Sequence, residues 1–225
     1  MATYCKGDIH GNLYELLDFI DRFGLHEGDN IIVLGDCGIA WRKDRKDLDQ
    51  NIKLWNEYGN GVKLFFLDGN HENYRILNHL PIENNMGKIS NNIYHLRRGQ
   101  IYNFEGKKVL VCGGADSVDK YRRTENLTWW KEETITEEDI ARISAGHYDY
   151  VLTHCCPRSI FENNKVYLST LQFLDESIIN HNSEDMLEKL KNRITFDHFW
   201  FGHYHVDIKL DDKFRCLFKD FVELR

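Results

Sequence analysis

The chain has 225 residues, of which 42% are hydrophobic and 29% are charged, a composition that predicts a single globular domain over residues 1–225. Its formal net charge of −7 argues against tight nucleic-acid binding, and no apolar run is long enough to cross a membrane. The six cysteines lack the spacing of a disulfide framework, so we expect reduced thiols and a cytoplasmic location.

The run TYCK near the start of the chain is typical of a strand, and it ends in the stretch GDIHGN, residues 7–12. Leucine and isoleucine at helical spacing follow and predict a helix over residues 12–23. Asp8 and His10 stand two residues apart in an extended segment, so their side chains project to the same side. On their own they fit either a pair of metal ligands or an ordinary turn.

Four further extended runs end in Asp, Asn or His, usually beside a glycine. They are residues 31–34, which end in GDCG, residues 62–67, which end in DGNHE, residues 148–152, which end in THCCP, and residues 198–201, which end in GHYH. In open α/β sheets, ligands gather at the carboxyl ends of the strands. Five runs that end in this way are hard to explain as turns alone.

Helical patterns separate these runs. They cover residues 44–58, residues 136–145 with a start that resembles a capping box, and residues 184–192. The alternation of strands and helices predicts an α/β fold. The end of the chain differs, because DIKL, FRCLF and DFVEL are strand-like runs without helices between them, which predicts antiparallel strands.

The candidate metal ligands are carboxylates, imidazoles and one amide oxygen, namely Asp8, His10, Asp36, Asn70, His154, His203 and His205. This mixed set suits Mn, Fe, Zn, Ni or Co better than Ca. It has too many members for one tetrahedral zinc ion and is the right size for two metals that share a carboxylate. Such a pair is suited to in-line attack on phosphorus by a shared hydroxide.

The motifs DIH, GDCG, GNHE, TH and GHYH, in this order along nearly the whole chain, resemble those of the calcineurin-like metallophosphoesterases. The resemblance implies a four-layer α/β/β/α sandwich, in which two mixed β-sheets are flanked by helices and the metals lie at one rim. It also implies two ligand sets and a bridging residue: Asp8, His10 and His205 for the first metal, Asn70, His154 and His203 for the second, and Asp36 between them.

The resemblance further implies a catalytic role for His71 beside the bridging Asp36, because His71 matches the histidine that contacts the substrate phosphate and protonates the leaving oxygen. The activity expected is hydrolysis of phosphate esters with two divalent transition-metal ions, Mn being the favoured ion. Small phosphomonoesters or nucleotides are the leading substrates. GNHENY, GGADSVD and the run WWKEE are more loosely similar to a bacterial or phage subgroup.

The second motif departs from the branch of this family that acts on Ser and Thr phosphates in proteins. That branch reads GDxVDRG, where Asp orients the catalytic histidine and Arg holds phosphate, whereas this chain reads GDCGIAW, with Ile39 and Ala40 at those positions. The departure disfavours a dedicated protein phosphatase, because oriented proton donors and phosphate clamps carry much of this chemistry. Protein phosphatase activity, a nuclease and a non-catalytic metal-binding scaffold remain the alternatives.

Other basic residues are candidates for the missing phosphate clamp. Arg75 follows GNHE closely, and Arg122 and Arg123 follow a strand-and-turn unit that we expect to bring Asp116 and Ser117 to the same rim. Each arginine is a candidate substrate-binding residue, with a solvated surface position as the alternative. The adjacent Trp129 and Trp130 could stack on a nucleotide base, but we expect them to pack a loop onto the core.

Overall fold

Two β-sheets lie face to face in the computed structural model, which describes residues 1–42, 44–168 and 180–225. In chain order the strands are β1 (Thr3–Lys6), β2 (Asn30–Val33), β3 (Lys63–Leu67), β4 (Ile82–Glu83), β5 (Met86–Lys88), β6 (Ile93–Leu96), β7 (Ile101–Phe104), β8 (Lys107–Cys112), β9 (His147–Thr153), β10 (Thr195–Phe201), β11 (Ile208–Lys209), β12 (Phe214–Cys216) and β13 (Val222–Glu223). Within the described residues, the strand order is β13-β1-β2-β3-β6-β5-β4 in sheet A and β11-β12-β10-β9-β8-β7 in sheet B.

Both sheets are mixed. The central strands β1, β2, β3 and β6 of sheet A run parallel, as do β8, β9, β10 and β12 of sheet B, while antiparallel strands lie at the edges. Parallel neighbours direct their carboxyl ends to the same side, so each sheet presents several strand ends at one rim.

The helices are α1 (Leu13–Phe23), α2 (Lys46–Tyr58), α3 (Tyr74–Leu77), α4 (Glu137–Ala141), α5 (Arg158–Asn163), α6 (Lys165–Leu168) and α7 (Asn182–Lys191). Two short 3₁₀ turns, Lys120–Arg122 and Lys131–Glu133, lie between β8 and α4. Among the helices in the described ranges, none has both the length and the apolarity that crossing a membrane requires.

The alternation of side chains along each strand divides the core into three layers of packing. In β2, Ile31 and Val33 pack with α1 and α2 outside sheet A, whereas Ile32 faces sheet B. In β9, Tyr150 faces sheet A, and Val151 packs on the other side with α4 and α7. The order of layers is therefore helices, sheet A, sheet B, helices, which confirms the expected α/β/β/α sandwich.

The predicted helices over residues 12–23, 44–58 and 184–192 correspond to α1, α2 and α7 within two residues at each end. The helix predicted over residues 136–145 begins with a capping box, as expected, but α4 ends at Ala141. Beyond Ala141 the chain is held in a turn by Arg193, which donates hydrogen bonds to the carbonyl oxygens of Ile140 and Ile143.

The end of the chain is only partly antiparallel. β11 pairs antiparallel with β12, and β13 pairs antiparallel with β1, as predicted. β12 also pairs with β10, and these two strands are parallel, a pairing that the sequence did not predict. The chain reverses once after β10 and again in the turn at Asp211, whose carboxylate accepts the N–H groups of Lys213 and Phe214, so β12 runs in the direction of β10.

A buried ion pair fixes the segment that follows β3. The Asp68 carboxylate lies 2.5 Å from Nη2 of Arg98, and the two side chains are only 4% and 13% exposed. Arg98 also reaches Oδ2 of Asp139 at 3.0 Å. The Asp68 carboxyl is buried, but Arg98 and His95 outweigh the effect of burial and hold its pKa well below the usual range. The pair ties the end of β3 to β6 and α4.

We predict that Arg98→Met lowers the free energy of unfolding by about 3–5 kcal/mol, because it leaves Asp68 charged and buried without its partner. Urea denaturation followed by circular dichroism measures this loss. Arg22→Met is the matched control, since Arg22 pairs with Asp18 where both side chains are more than two-thirds exposed (69% and 67%), and we expect a loss below about 1 kcal/mol there. Equal losses in the two variants would contradict the importance assigned to the buried pair.

Candidate metal centre

Strand ends from both sheets meet at one rim of the sandwich. Asp8 follows β1, Asp36 follows β2, Asn70 follows β3, His154 follows β9 and His203 follows β10. Asp8, Asp36, Asn70 and His154 are buried, and His203 is half-buried. Side chains far apart in sequence are thereby concentrated in one polar pocket between the two sheets.

One group of ligand atoms gathers around Asp8. Its Oδ2 lies 3.1 Å from Nε2 of His205 and 3.8 Å from Nε2 of His10, and the two imidazole nitrogens are 3.0 Å apart. The nitrogens and the carboxylate oxygen lie within 4.8 Å of one another, as a single ion would require. The ring of Phe218 stacks on that of His205 with centroids 4.7 Å apart, which orients the imidazole.

A second group surrounds His154, with Nε2 of its fully buried ring 3.3 Å from Oδ1 of Asp36 and 3.2 Å from Oδ1 of Asn70. Its Nδ1 donates to the carbonyl oxygen of Leu34 at 2.7 Å, an arrangement that orients a metal-binding histidine. The ring of His203 lies 4.9 Å from that of His154. Ligand atoms of Asp8, Asp36 and His154 also lie within 4.8 Å of one another, so the two groups are contiguous.

The backbone around these residues is strained and closely packed. His10, Asp36, His203 and His205 all have positive φ, between 47° and 68°, which is uncommon for residues other than glycine and is concentrated at functional sites. Gly69 is required by space, because a Cβ there would lie 2.2 Å from Oδ1 of Asp36. The turns thus bring backbone and ligand side chains closer together than larger residues would permit.

The two buried carboxylates, Asp8 and Asp36, favour positive charge in the pocket. Burial disfavours the charged form of His154, but Asp36 and Asp8 outweigh it and raise its pKa to about 10. Burial lowers the pKa of His203 to about 3, and the charge of His154 contributes, so His203 is a neutral nitrogen donor. Carboxylate oxygens and imidazole nitrogens are a donor set that fits divalent transition metals.

His71 and Arg123 lie at the open side of this pocket. The backbone N–H of His71 donates to Oδ1 of Asp36 at 2.7 Å, and Nη2 of Arg123 lies 2.8 Å from Nε2 of His71. Burial lowers the pKa of His71, the nearby Arg123 and His10 add to the effect, and Asp36 opposes it. His71 is therefore a neutral imidazole that accepts a hydrogen bond from the guanidinium.

The three candidate substrate arginines have different positions. The Arg123 side chain is 9% exposed and pairs with Asp119 at 2.7 Å in addition to its contact with His71. Arg122 is exposed, with its guanidinium over the ring of Tyr121. Arg75 is exposed on α3, and no ion pair or hydrogen bond joins its guanidinium to the pocket among the residues that the structure describes. Of the three candidate arginines, Arg123 is the one whose guanidinium contacts His71.

Ser117 lies beside the pocket, as the sequence predicts, since Nδ2 of Asn70 lies 3.3 Å from its hydroxyl oxygen. Asp116 is buried behind it, where it accepts hydrogen bonds from the hydroxyl of Thr134 and the N–H of Ser183. Trp130 is 3% exposed, which confirms that it packs against the core.

Two residues at the site were missed by sequence reasoning. Glu72 is fully buried, and its Oε1 accepts the backbone N–H groups of Cys37 and Gly38 at 2.7 and 3.3 Å. Burial raises its pKa well above the usual range, so it is a neutral carboxyl that holds the loop of Asp36. The other is Trp41, whose ring centroid lies 6.0 Å from that of His71. Glu72 stands inside the GNHE motif, which was the available signal.

Ile39 and Ala40, which replace the polar residues of the protein phosphatase motif, are both fully buried in the core beneath α1 and α2. The segment after Asp36 therefore turns apolar side chains inward, and the guanidinium beside His71 comes from Arg123 in a different part of the chain.

Comparison with known proteins agrees with this geometry. The family model of calcineurin-like phosphoesterases matches residues 1–207. No curated protein gave a match in the corresponding search. The matched region contains β1 to β10 and every residue of the two ligand groups. The chain therefore belongs to the calcineurin-like phosphoesterase family and is a metal-dependent hydrolase of phosphoesters.

Proposed function

We propose that the protein hydrolyses small phosphomonoesters, nucleotides included, with two divalent transition-metal ions, of which Mn is the activating ion. The observation that supports this most directly is the contiguity of two ligand groups around the buried Asp8 and Asp36, with His71 and Arg123 at the open side. Each part has a place in phosphoryl transfer, where positioning and charge stabilisation carry most of the rate.

In this proposal the first ion is held by Asp8, His10 and His205. The second would be held by Asn70, His154 and His203, with Asp36 shared between the two sets. Bound there, the ions would lower the pKa of a shared water and so supply the hydroxide that attacks phosphorus. Leu34 supports the second set, because its carbonyl oxygen holds the His154 ring with Nε2 directed toward Asp36 and Asn70.

Arg123 is proposed to bind the substrate phosphate. Its side chain is nearly buried, and its guanidinium is held beside His71 by Asp119. Donors in a fixed planar arrangement suit the oxygens of a phosphate group. Once Arg123 donates to phosphate, Nε2 of His71 is released, takes up a proton from solvent and donates it to the leaving oxygen. The two residues therefore act in sequence on the same ester.

A dedicated protein phosphatase is less well supported. The orienting carboxylate and the arginine of that branch are replaced by Ile39 and Ala40, whose side chains are directed into the core. A nuclease is disfavoured by the net charge of −7. A non-catalytic scaffold is disfavoured because His71 and the full ligand set are present together.

The first prediction concerns metal content. Protein prepared without chelator should contain close to two transition-metal equivalents per chain by elemental analysis. His203→Ala should reduce the content toward one, because it removes a ligand of the second set. His79→Ala, at an exposed histidine two residues after the end of α3, is the control and should leave the metal content unchanged. A wild-type chain that binds no transition metal under any loading condition would rule out the proposal.

The second prediction concerns substrate class and Arg123. The Mn-loaded protein should hydrolyse p-nitrophenyl phosphate faster than bis(p-nitrophenyl) phosphate. Arg123→Ala should raise the KM for the monoester about tenfold or more, since a charged hydrogen bond contributes about 1.5–3 kcal/mol. Arg122→Ala is the matched neighbour, and its exposed side chain predicts a much smaller change. Equal effects of the two changes, or a preference for the diester, would contradict this assignment.

The third prediction concerns His71. His71→Gln should retain both metals and lose about 10²–10⁴-fold in kcat on an alkyl phosphate, whose leaving oxygen needs a proton. The loss should be smaller on p-nitrophenyl phosphate, because p-nitrophenolate departs without protonation. Metal content that falls together with activity, or an equal loss on both esters, would show instead that His71 only supports Asn70 or His154.

A further inference from the structure

A cleft lies near His71, and Trp41 is part of its lining. It has a volume of about 390 Å³ and is lined by Trp41, Arg42, Asp44, Leu127 and Thr128. That volume lies within the range of small-molecule sites in proteins. Trp41 connects the cleft to the metal centre, because it lines the cleft while its ring lies 6.0 Å from that of His71.

The position of Trp41 is fixed by contacts with the rest of the protein. Its backbone N–H donates to Oδ2 of Asp47 at 2.7 Å, and its carbonyl oxygen accepts from Nδ2 of Asn73 at 2.9 Å. Its ring meets the edge of the buried Trp130 with centroids 5.6 Å apart and planes at 80°. The half-buried ring is therefore oriented before any ligand arrives, which lowers the entropy lost on binding.

The opposite wall and the rim of the cleft complement this ring. Leu127 is 51% exposed, which is unusual exposure for a large apolar side chain next to a polar site. At the rim, Nε of Arg42 and Oδ1 of Asp44 lie 3.6 Å apart, so a hydrogen-bond donor and an acceptor stand side by side. The cleft thus combines an aromatic face, an apolar wall and a donor–acceptor edge.

We propose that this cleft binds the nucleobase of a nucleoside monophosphate, stacked on Trp41, while the phosphate lies at the metal centre. The inference rests on the proposed function and narrows its substrate class. A nucleobase has a flat face for the indole and an edge that carries both donors and acceptors, which a phenyl ring does not. The ribose that joins base and phosphate would then lie beside His71, whose ring centroid is 6.0 Å from that of Trp41.

The decisive measurement is the ratio of kcat/KM for adenosine monophosphate to that for ribose 5-phosphate, which has the same phosphate and sugar without the base. Trp41→Leu should lower this ratio about tenfold, mainly through the KM for the nucleotide, because the stacked face is lost. Trp41→Phe, which keeps an aromatic face, should restore most of it. Leu127→Ser, at an exposed position where folding is not at risk, should lower it as well.

Tyr58→Leu provides the control, since Tyr58 is an exposed aromatic residue at the end of α2, outside the cleft. It should leave the ratio unchanged. An unchanged ratio in both Trp41→Leu and Leu127→Ser would overturn the proposal, as would a ratio near one in the wild-type protein.

Calorimetry with adenosine separates this inference from the proposed hydrolysis, because adenosine has no phosphate to cleave. The metal-loaded wild-type chain should bind adenosine more tightly than ribose or L-tyrosine, and Trp41→Leu should weaken adenosine binding about tenfold. Adenosine binding without any phosphatase activity would refute the hydrolytic role and retain the cleft assignment. Tyrosine binding as tightly as adenosine would assign the cleft to aryl groups and overturn the nucleobase.

Discussion

The centre of this molecule is organised by two carboxylates, Asp8 and Asp36, which are 1% and 2% exposed at the ends of neighbouring parallel strands. Charged groups removed from water need compensation from hydrogen bonds and positive charge. The fold supplies N–H donors to both, from His203 to Asp8 and from His71 to Asp36. Further compensation comes from the charged form of His154, because the two carboxylates raise the pKa of its imidazole to about 10. A divalent cation satisfies the same demand.

The surroundings of the pocket follow from this concentration of charge. The ligand-bearing turns adopt positive φ because the backbone must reverse at once after each strand to direct N–H groups and imidazoles inward. Glu72 is kept neutral by burial and acts as a hydrogen-bond acceptor for the loop of Asp36 without adding a third negative charge. Asp68 belongs to the same segment as Glu72 but is charged, and Arg98 neutralises it. Asp68 and Glu72 are both buried, so the difference in their charge comes from their partners.

The local sequence was sufficient for the strand ends and the positions of the ligand candidates, because an Asp, Asn or His follows each strand within a few residues. The four layers were expected only from the family resemblance. Such local patterns survive in a single sequence. The contacts of Arg123 with His71 and of Trp130 with Trp41 join residues more than fifty positions apart, and no periodicity encodes them. The contacts at the end of α4 are equally distant in sequence, because the arginine that donates to the carbonyl oxygens there comes from the segment between α7 and β10. Arg122 and Arg123 are adjacent and identical in type, so the sequence does not reveal which of them is exposed and which contacts His71.

The partner of His71 distinguishes this chain from the protein phosphatase pattern. A carboxylate beside a histidine favours the imidazolium, whereas a guanidinium disfavours it. With Ile39 and Ala40 in the core and Arg123 beside the ring, the positive charge at the mouth of the pocket resides on arginine, and the imidazole is neutral. The charge at the mouth of the pocket is thus permanent, and it lies on a guanidinium whose Nη2 is 2.8 Å from Nε2 and 3.4 Å from Nδ1 of His71. In the proposed mechanism, engagement of Arg123 by a phosphate would draw the guanidinium away from the ring, so substrate binding itself would change the environment of His71. A group that changes its hydrogen-bond partner on binding is suited to act on the leaving oxygen only after the phosphate is in position.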